Sequence, residues 1–551
     1  GAGTYQEGSE VRLRRDITLT GAGAGNTQLD GNNAHRVLRV NRGVTARLND
    51  LTLTQGRSGR GGGIYSQGTL ILNGSAIANN QVTRNGGGIY SNGEVTLINS
   101  ALTNNRASGN GGGSFANRGS LTLNNSSVTG NQAGRDGGGI RSNNTDLTVD
   151  GSTIANNQAR FGGGLYTNRG TLILNNSQVA NNRANRDGGG IRSNRSLLTL
   201  NHTQILGNQA NRDGGGLRSN GNTVTLNTVQ VSGNRAGRNG GGLWTVGALV
   251  VNNGAISGNQ AGQDGGGIRT NNSTANLRIT TITGNQANRD GGGLYTNRGT
   301  TTVDRSTIAG NTARRDGGGI RSHRGTITFS TSTVANNDAT RNGGGVYANR
   351  TNLTFNGSTV STNGAQLGGG IYNNRGTVTA TNSTLSGNTA NRDGGGAYSS
   401  RGRFTLANST VSSNQSDRGG GLYGNRATLT FSNSQVTGNK AQGAGNEVYR
   451  WRGSAPSNHS LFGFSGDAGL SGLTANLANG DLVPTVPLSQ ILSPLASNGG
   501  PTQTHALVVG SPALDASGNN ATAFDQRGHA AIGRRDIGAY AGTIPPEVVP
   551  S

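Results

Sequence analysis

The sequence predicts an all-β fold, a right-handed parallel β-helix (β-solenoid) of about 15 regular coils of 25–26 residues, with irregular coils before them and an aperiodic module after them. Three observations carry this. Gly-Gly-Gly recurs with starts at Gly61, Gly86, Gly111, Gly137, Gly162, Gly188, Gly214, Gly240, Gly265, Gly291, Gly317, Gly343, Gly368, Gly394 and Gly419, always 25 or 26 residues apart. Between triplets lie short alternating segments broken by turn residues, too short for a helical period. One polar position is present in every repeat: Asn80, Asn105, Asn131, Asn157, Asn182, Asn208, Asn234, Asn259, Asn285, Asn311, Asn337, Asn363, Asn388, Asn414 and Asn439.

Residues 1–58 lack the triplet but keep strand-like runs at 11–20, 36–40 and 44–54, so they are expected to form a cap and the first irregular coils. The regular β-helix is assigned to 59–450. In the unit from Gly162 to Asp187, alternation places Leu165, Leu172, Leu174 and Val179 on one side, and the breaks Asn-Arg-Gly and Ala-Asn-Arg-Asp read as turns, giving about three strands per coil. The repeated asparagine reads as a structural ladder, because a side-chain amide stacked on its copy both donates and accepts along the axis. Sugar binding by the same row is the less economical reading. The glycine triplets are expected to make one corner of each coil, with positive φ and close stacking of successive coils.

Composition sets the outer bounds. Of 551 residues 99 are glycine and 30% are hydrophobic, which excludes an ordinary globular core, and no run of eighteen apolar residues is present to span a bilayer as a helix. The lack of a Gly-X-Y period excludes collagen. There are 47 basic and 25 acidic residues, a net charge of +22, with Lys440 the one lysine; polyanions are natural partners for such a surface. The absence of cysteine and methionine excludes thiol catalysis, disulfides and thiolate metal sites, and a chain starting at Gly1 is expected to have lost a signal peptide.

Two outward features are candidates for binding. The second residue after each triplet is aromatic or arginine: Tyr65, Tyr90, Phe115, Arg141, Tyr166, Arg192, Arg218, Trp244, Arg269, Tyr295, Arg321, Tyr347, Tyr372, Tyr398 and Tyr423. At one-coil spacing these rings and guanidinium planes can stack, either simply covering the glycine corner or forming a glycan- or protein-docking stripe. Arginines also recur at two turns. Those of Arg135-Asp136, Arg186-Asp187, Arg212-Asp213, Arg289-Asp290, Arg315-Asp316 and Arg392-Asp393 can be neutralised by the adjacent aspartates. Those of Asn-Arg-Gly, at Arg118, Arg169, Arg298 and Arg375, have no acid beside them and are the candidate polyanion contacts, against solvated turn charge as the alternative. No nucleic-acid motif of recognised type is present.

Catalysis has little support. A lyase or hydrolase on this fold needs converging carboxylates, whereas most acids here sit singly in turns, and His35, His202, His323, His459, His505 and His529 fall in different phases or outside the repeats. No enzymatic role, metal or cofactor is expected.

Past residue 450 the period dissolves after Gly443-Ala444-Gly445, prolines gather up to Pro512, and a separate module is expected over 451–541 with a tail at 542–551. The opening ITLTGAGAGNTQLDGNNAHRVLRV, the GGGIY…LTLNNS…VSGN repeats, and the closing segments Asn498-Gly-Gly-Pro-Thr-Gln-Thr-His505-Ala-Leu507, Gly510-Ser-Pro-Ala-Leu-Asp515, Asp525-Gln-Arg-Gly528 and Asp536-Ile-Gly-Ala-Tyr540 resemble bacterial surface proteins of the choice-of-anchor Q type. The repeats are similar in style, less closely, to those of polymorphic outer membrane proteins. The resemblance implies a secreted, pectate-lyase-like β-helix at the cell surface or released from it. The cysteine pair often found around the Asp-Gln-Arg-Gly segment is missing, and since Tyr540 is followed only by Ala541 to Ser551 the anchor is expected to be either cleaved or never present. The reading is therefore a non-enzymatic extracellular structural or surface protein that assembles end to end with copies of itself. The alternatives are an adhesin for acidic polysaccharide or cell surfaces and, least supported, a polysaccharide lyase or hydrolase.

Overall fold

The structure, a computed structural model, describes residues 1–519, 521–530 and 534–542; the expected tail at 542–551 lies outside the described residues apart from Gly542. The chain divides into two compact units, Gly1–Thr270 and Asn271–Ser551, and each is a parallel β-solenoid.

One coil of the first unit shows how the sequence dictates the turn. Its strands are Leu165–Asn168, Thr171–Asn175, Gln178–Ala180 and Arg183–Ala184. Leu165, Thr167, Leu172, Leu174, Val179 and Ala184 are all 0% exposed and point inward. They lie in register on the next coil, Leu165 on Ile191, Leu172 on Leu198, Val179 on Ile205 and Ala184 on Ala210. Like side chains thus stack in rows, each buried leucine stabilising by about 1.5–3 kcal/mol. The coil has four strands rather than three. The first two share one sheet across a corner at Arg169 (φ 56°), and the other two belong to sheets of their own. Alternation alone cannot separate strands whose inward faces continue one another.

Each glycine of a triplet meets a different constraint. Gly188 has φ 68°, a left-handed conformation. At Gly189 a Cβ would lie 2.3 Å from the carbonyl oxygen of Gly215 in the next coil, and at Gly190 it would lie 2.9 Å from Cγ of Asn208. The corner is therefore closed to any side chain by the coil stacked on it and by the asparagine ladder.

The repeated asparagines are hydrogen-bonded to one another from coil to coil. In the first unit the backbone and side-chain N–H groups of Asn182 both donate to Oδ1 of Asn208, at 2.9 and 3.0 Å, and the side chain also donates to the Ile154 carbonyl. In the second unit Asn285, Asn311, Asn337, Asn363, Asn388, Asn414 and Asn439 repeat the pattern. The preceding asparagine has a separate job, since Asn181 supplies a left-handed turn residue at φ 55°. A second buried ladder was not legible as such: the backbone N–H of Ser126 donates to Oγ of Ser152, and that of Ser152 to Ser177. The serine of Asn-Asn-Ser is its rung, and Ser306 to Ser332 to Ser358 continues it in the second unit.

In the second unit the first two strands of some coils fuse into one of 11 residues, as in Leu294–Asp304, Ile320–Ser330 and Leu422–Ser432. The repeat also runs further than its glycines suggest. Gly445-Asn446-Glu447 stands in the triplet register, with Gly420 and Gly421 donating to the carbonyls of Gly445 and Asn446. Tyr449 follows Tyr423 in the aromatic row with ring centroids 5.0 Å apart. The degenerate triplet is therefore 445–447 and not 443–445, and coil pairing continues through Val448–Ser454, Ser457–Asn458 and Leu461–Phe462.

The segment that follows is packed against the coils of this unit. It contributes Ile491, Leu492, Ala513 and Ile537 to a buried cluster with Leu461. It also lies along the outer face of the third-strand sheet: Thr359 Oγ1 donates to the Gln503 carbonyl (2.7 Å), Ser386 Oγ and His505 Nε2 are 2.8 Å apart, and Ala539 N–H donates to Thr410 Oγ1 (3.0 Å). Gln526 accepts from Thr384 Oγ1 and donates to Thr359 Oγ1, Thr502 Oγ1 and the Gln503 carbonyl. The closing motifs are thus the residues that fasten this segment to the coils.

Candidate functional site: arginine and aromatic rows

The aromatic and arginine residues of the slot stack on one another from coil to coil. In the first unit Tyr65, Tyr90 and Phe115 are parallel with centroids 5.2 and 5.3 Å apart, Arg141 lies 4.3 Å from the Tyr166 ring, and Arg218 lies 4.2 Å from Trp244. In the second unit Tyr347, Tyr372, Tyr398, Tyr423 and Tyr449 form one stack at 5.0–5.1 Å, and Arg321 sits between Tyr295 and Tyr347.

The slot points away from the core yet is covered, which the pattern did not predict. All fifteen residues are buried or half-buried, because each ring face is occupied by the neighbour one coil away. Turn arginines add a lid, with Arg60 over Tyr90 and Arg418 over Tyr423 and Tyr449. Burial raises the phenol pKa of Tyr347, Tyr372 and Tyr423, that of Tyr423 to about 12.

The aspartates before the triplets serve this slot as much as their neighbouring turn arginines. Asp187 is approached by Arg192 (3.1 Å), Arg218 (3.6 Å) and Arg212 (3.9 Å). Asp290 is approached by Arg315 (3.1 Å), Arg321 (3.3 Å) and Arg289 (3.8 Å). The slot arginines are therefore charge-paired and desolvated, and the row is electrically closed. Asp136 shows the cost: burial raises its pKa, and Arg141, Arg192 and Arg135 only partly oppose this.

The second arginine row is built differently. Arg118, Arg169, Arg298 and Arg375 occupy the corner between the first two strands, all exposed and all at positive φ. Four further residues in the same register complete it in part: Arg195 in the first unit and Arg324, Arg350 and Arg401 in the second, with Arg426 and Arg452 extending it. They lack the Asn-Arg-Gly tripeptide; counting 26 residues onward from Arg169 finds Arg195, and counting 25 or 26 onward from Arg298 finds the others. In the second unit the row is unbroken over seven coils: Arg298, Arg324, Arg350, Arg375, Arg401, Arg426 and Arg452. None of the seven forms an ion pair among the described residues. Like charges one coil apart repel by about 1 kcal/mol per adjacent pair in water.

Beside this row runs a strip of half-buried amides. In the first unit Asn117, Asn143, Asn168 and Asn194 each donate to the asparagine one coil earlier, at 2.8–3.2 Å. In the second unit Asn297 donates to Asn271 and Asn374 to Asn349. His323 interrupts the strip, and its pKa is lowered by desolvation and then by Arg321, Arg324, Arg350 and Arg298. The field at this corner is positive.

Among the described residues no group of three or more His, Asp or Glu is placed to hold a metal ion, and no helix is long and apolar enough to cross a membrane.

Residues 279–297 match the Chlamydia polymorphic membrane protein (Chlamydia_PMP) repeat. That stretch holds the ladder residue Asn285, the triplet from Gly291 and the slot residue Tyr295, so the match falls on the features that build a coil. The repeat is that of a surface-protein type, carried here on a parallel β-solenoid. No curated protein matches the chain.

Proposed function

We propose that the chain is a non-enzymatic structural protein of the bacterial cell surface or exterior, in which the lateral faces of each solenoid unit are the working surfaces. The observation that carries this is the distribution of its chemistry. Polar groups that could act in a site are spent on ladders repeated coil after coil, and the carboxylates before the triplets are held by guanidinium groups. The polymorphic membrane protein repeat at 279–297 supports the surface location, and the closing motifs support a relationship to choice-of-anchor Q proteins.

The finer reading is that copies associate end to end. Its support is the strand Gly3–Gln6, which is exposed at all four residues and, among the described residues, pairs with Thr27–Asp30 alone, so that its other side suits strand addition. At the other end of the ladder, Glu447 takes the place of a further rung by accepting from Asn439. Removing residues 1–10 is expected to abolish assemblies seen by electron microscopy of the purified protein. Assemblies unchanged by that deletion would overturn the end-to-end reading and leave a monomeric surface solenoid.

A further inference from the structure

The seven-arginine corner of the second unit carries a charge for which the described residues supply no ion-pair partner. We propose that it is a docking strip for an extended acidic polysaccharide, one with an anionic group on each sugar, lying along the stacking direction of the coils.

Geometry, charge and neighbouring chemistry converge on that occupant. Ring centroids in successive coils of the tyrosine stack are 5.0–5.1 Å apart, and at this one-coil step Arg298, Arg324, Arg350, Arg375, Arg401, Arg426 and Arg452 offer one guanidinium per length of about one pyranose ring. Each guanidinium can bind a carboxylate or sulfate in bidentate fashion. The amides beside the row, such as Asn349 and Asn374, suit hydroxyl groups of the same sugars. Trp451, in register with Asn425 and 50% exposed, closes the strip with a flat apolar face on which a sugar ring can lie. Duplex DNA fits less well, since its phosphates follow one another at about 3.4 Å per strand along the axis. The slot aromatics that could have stacked on bases are covered by one another.

The left-handed conformation of the row makes a clean test possible. Asn144 and Asn272 stand at the same corner with φ 50° and 51°, so asparagine is already accepted there. The variant carrying Arg324→Asn, Arg350→Asn, Arg375→Asn and Arg401→Asn keeps the turn and removes four charges. Binding of the full chain to polygalacturonate is measured against fully methyl-esterified pectin and a single-stranded oligonucleotide. The proposal expects affinity for polygalacturonate that falls as salt is raised, no binding to the ester, weaker binding to the oligonucleotide, and at least about a tenfold loss in the variant. Unchanged affinity in the variant, or equal binding of the ester, overturns it; equal binding of the oligonucleotide overturns the assignment to polysaccharide. Should the variant not fold, the unmodified protein is treated with an arginine-selective dicarbonyl. Polygalacturonate is expected to protect Arg350 and Arg375 but not the turn residue Arg160, and uniform reactivity with and without polymer overturns the proposal.

Discussion

Asn439, the last rung of the asparagine ladder in the second unit, gives both its backbone and side-chain N–H groups to the carboxyl of Glu447. Glu447 stands where the third glycine of a triplet would be, is 1% exposed, and ends the ladder by accepting the N–H groups that a further asparagine would otherwise accept. Burial raises its pKa to about 8, against the lowering effect of the Asn439 and Gly438 hydrogen bonds.

The sign of the pH effect follows. A carboxyl whose folded pKa lies above its unfolded value keeps its proton longer in the folded state, so stability is greatest below the unfolded pKa, near pH 4.5, and declines as pH rises toward about 8. The melting temperature of the second unit is expected to be higher at pH 5 than at pH 8.5 by an amount equivalent to a few kcal/mol. In Glu447→Gln that decline should be lost, leaving the opposite rise with pH contributed by His323 and His505, whose pKa values burial lowers, as thermal melts of both proteins across the range will show.

Truncation inside the ladder acts through the neighbour. Asn182→Ala removes the acceptor for both N–H groups that Asn157 donates, leaving two buried donors unpaired at a cost of about 2–5 kcal/mol. Because coils couple chiefly to their neighbours, the loss is expected to be local. Amide hydrogen exchange should quicken around 157–208 and much less near Asn80.

Two glycine replacements separate steric closure from backbone conformation. Gly258 has φ 61° but nothing within 4 Å of an added Cβ, so Gly258→Ala should cost about 1 kcal/mol. Gly189→Ala would drive a methyl group to 2.3 Å from a backbone oxygen and should abolish stacking at that corner. Denaturation midpoints of the two variants are predicted to differ severalfold in their displacement from the parent.

The fastening of the C-terminal segment rests heavily on Gln526. Gln526→Ala breaks hydrogen bonds to Thr384, Thr359, Thr502 and Gln503. Limited proteolysis is expected to cut the segment from about 490 onward faster, while the coils before it stay resistant.

What the sequence made legible is what recurs. The ladder of Asn80 to Asn439, the glycine corners and the alternation of Leu165, Leu172, Leu174 and Val179 all repeat each coil, so spacing alone places them. The exposed arginine corner was half legible, since a tripeptide finds Arg298 and Arg375 while only the register finds Arg324 and Arg350. The covering of the slot depends on neighbours above and below each ring, which a pattern of one coil cannot show. The docking of Gln526 on Thr359 spans 167 residues with no period linking them, so no local signal exists. Glu447 has no repeat that marks it, because the altered triplet 445–447 hides its register.

The stacking register itself is open to a direct measurement in a chain with no cysteine of its own. Ile173 is paired with Thr199 in the next coil, and Thr199 with Thr225 in the one after. With Cα atoms in adjacent coils about 4.8 Å apart, within disulfide range, and those two coils apart beyond it, Ile173→Cys with Thr199→Cys should form a disulfide on mild oxidation. Ile173→Cys with Thr225→Cys should remain reduced under the same conditions. Equal or preferential cross-linking of the second pair, read by mass spectrometry, would contradict a parallel solenoid with a coil of 25–26 residues.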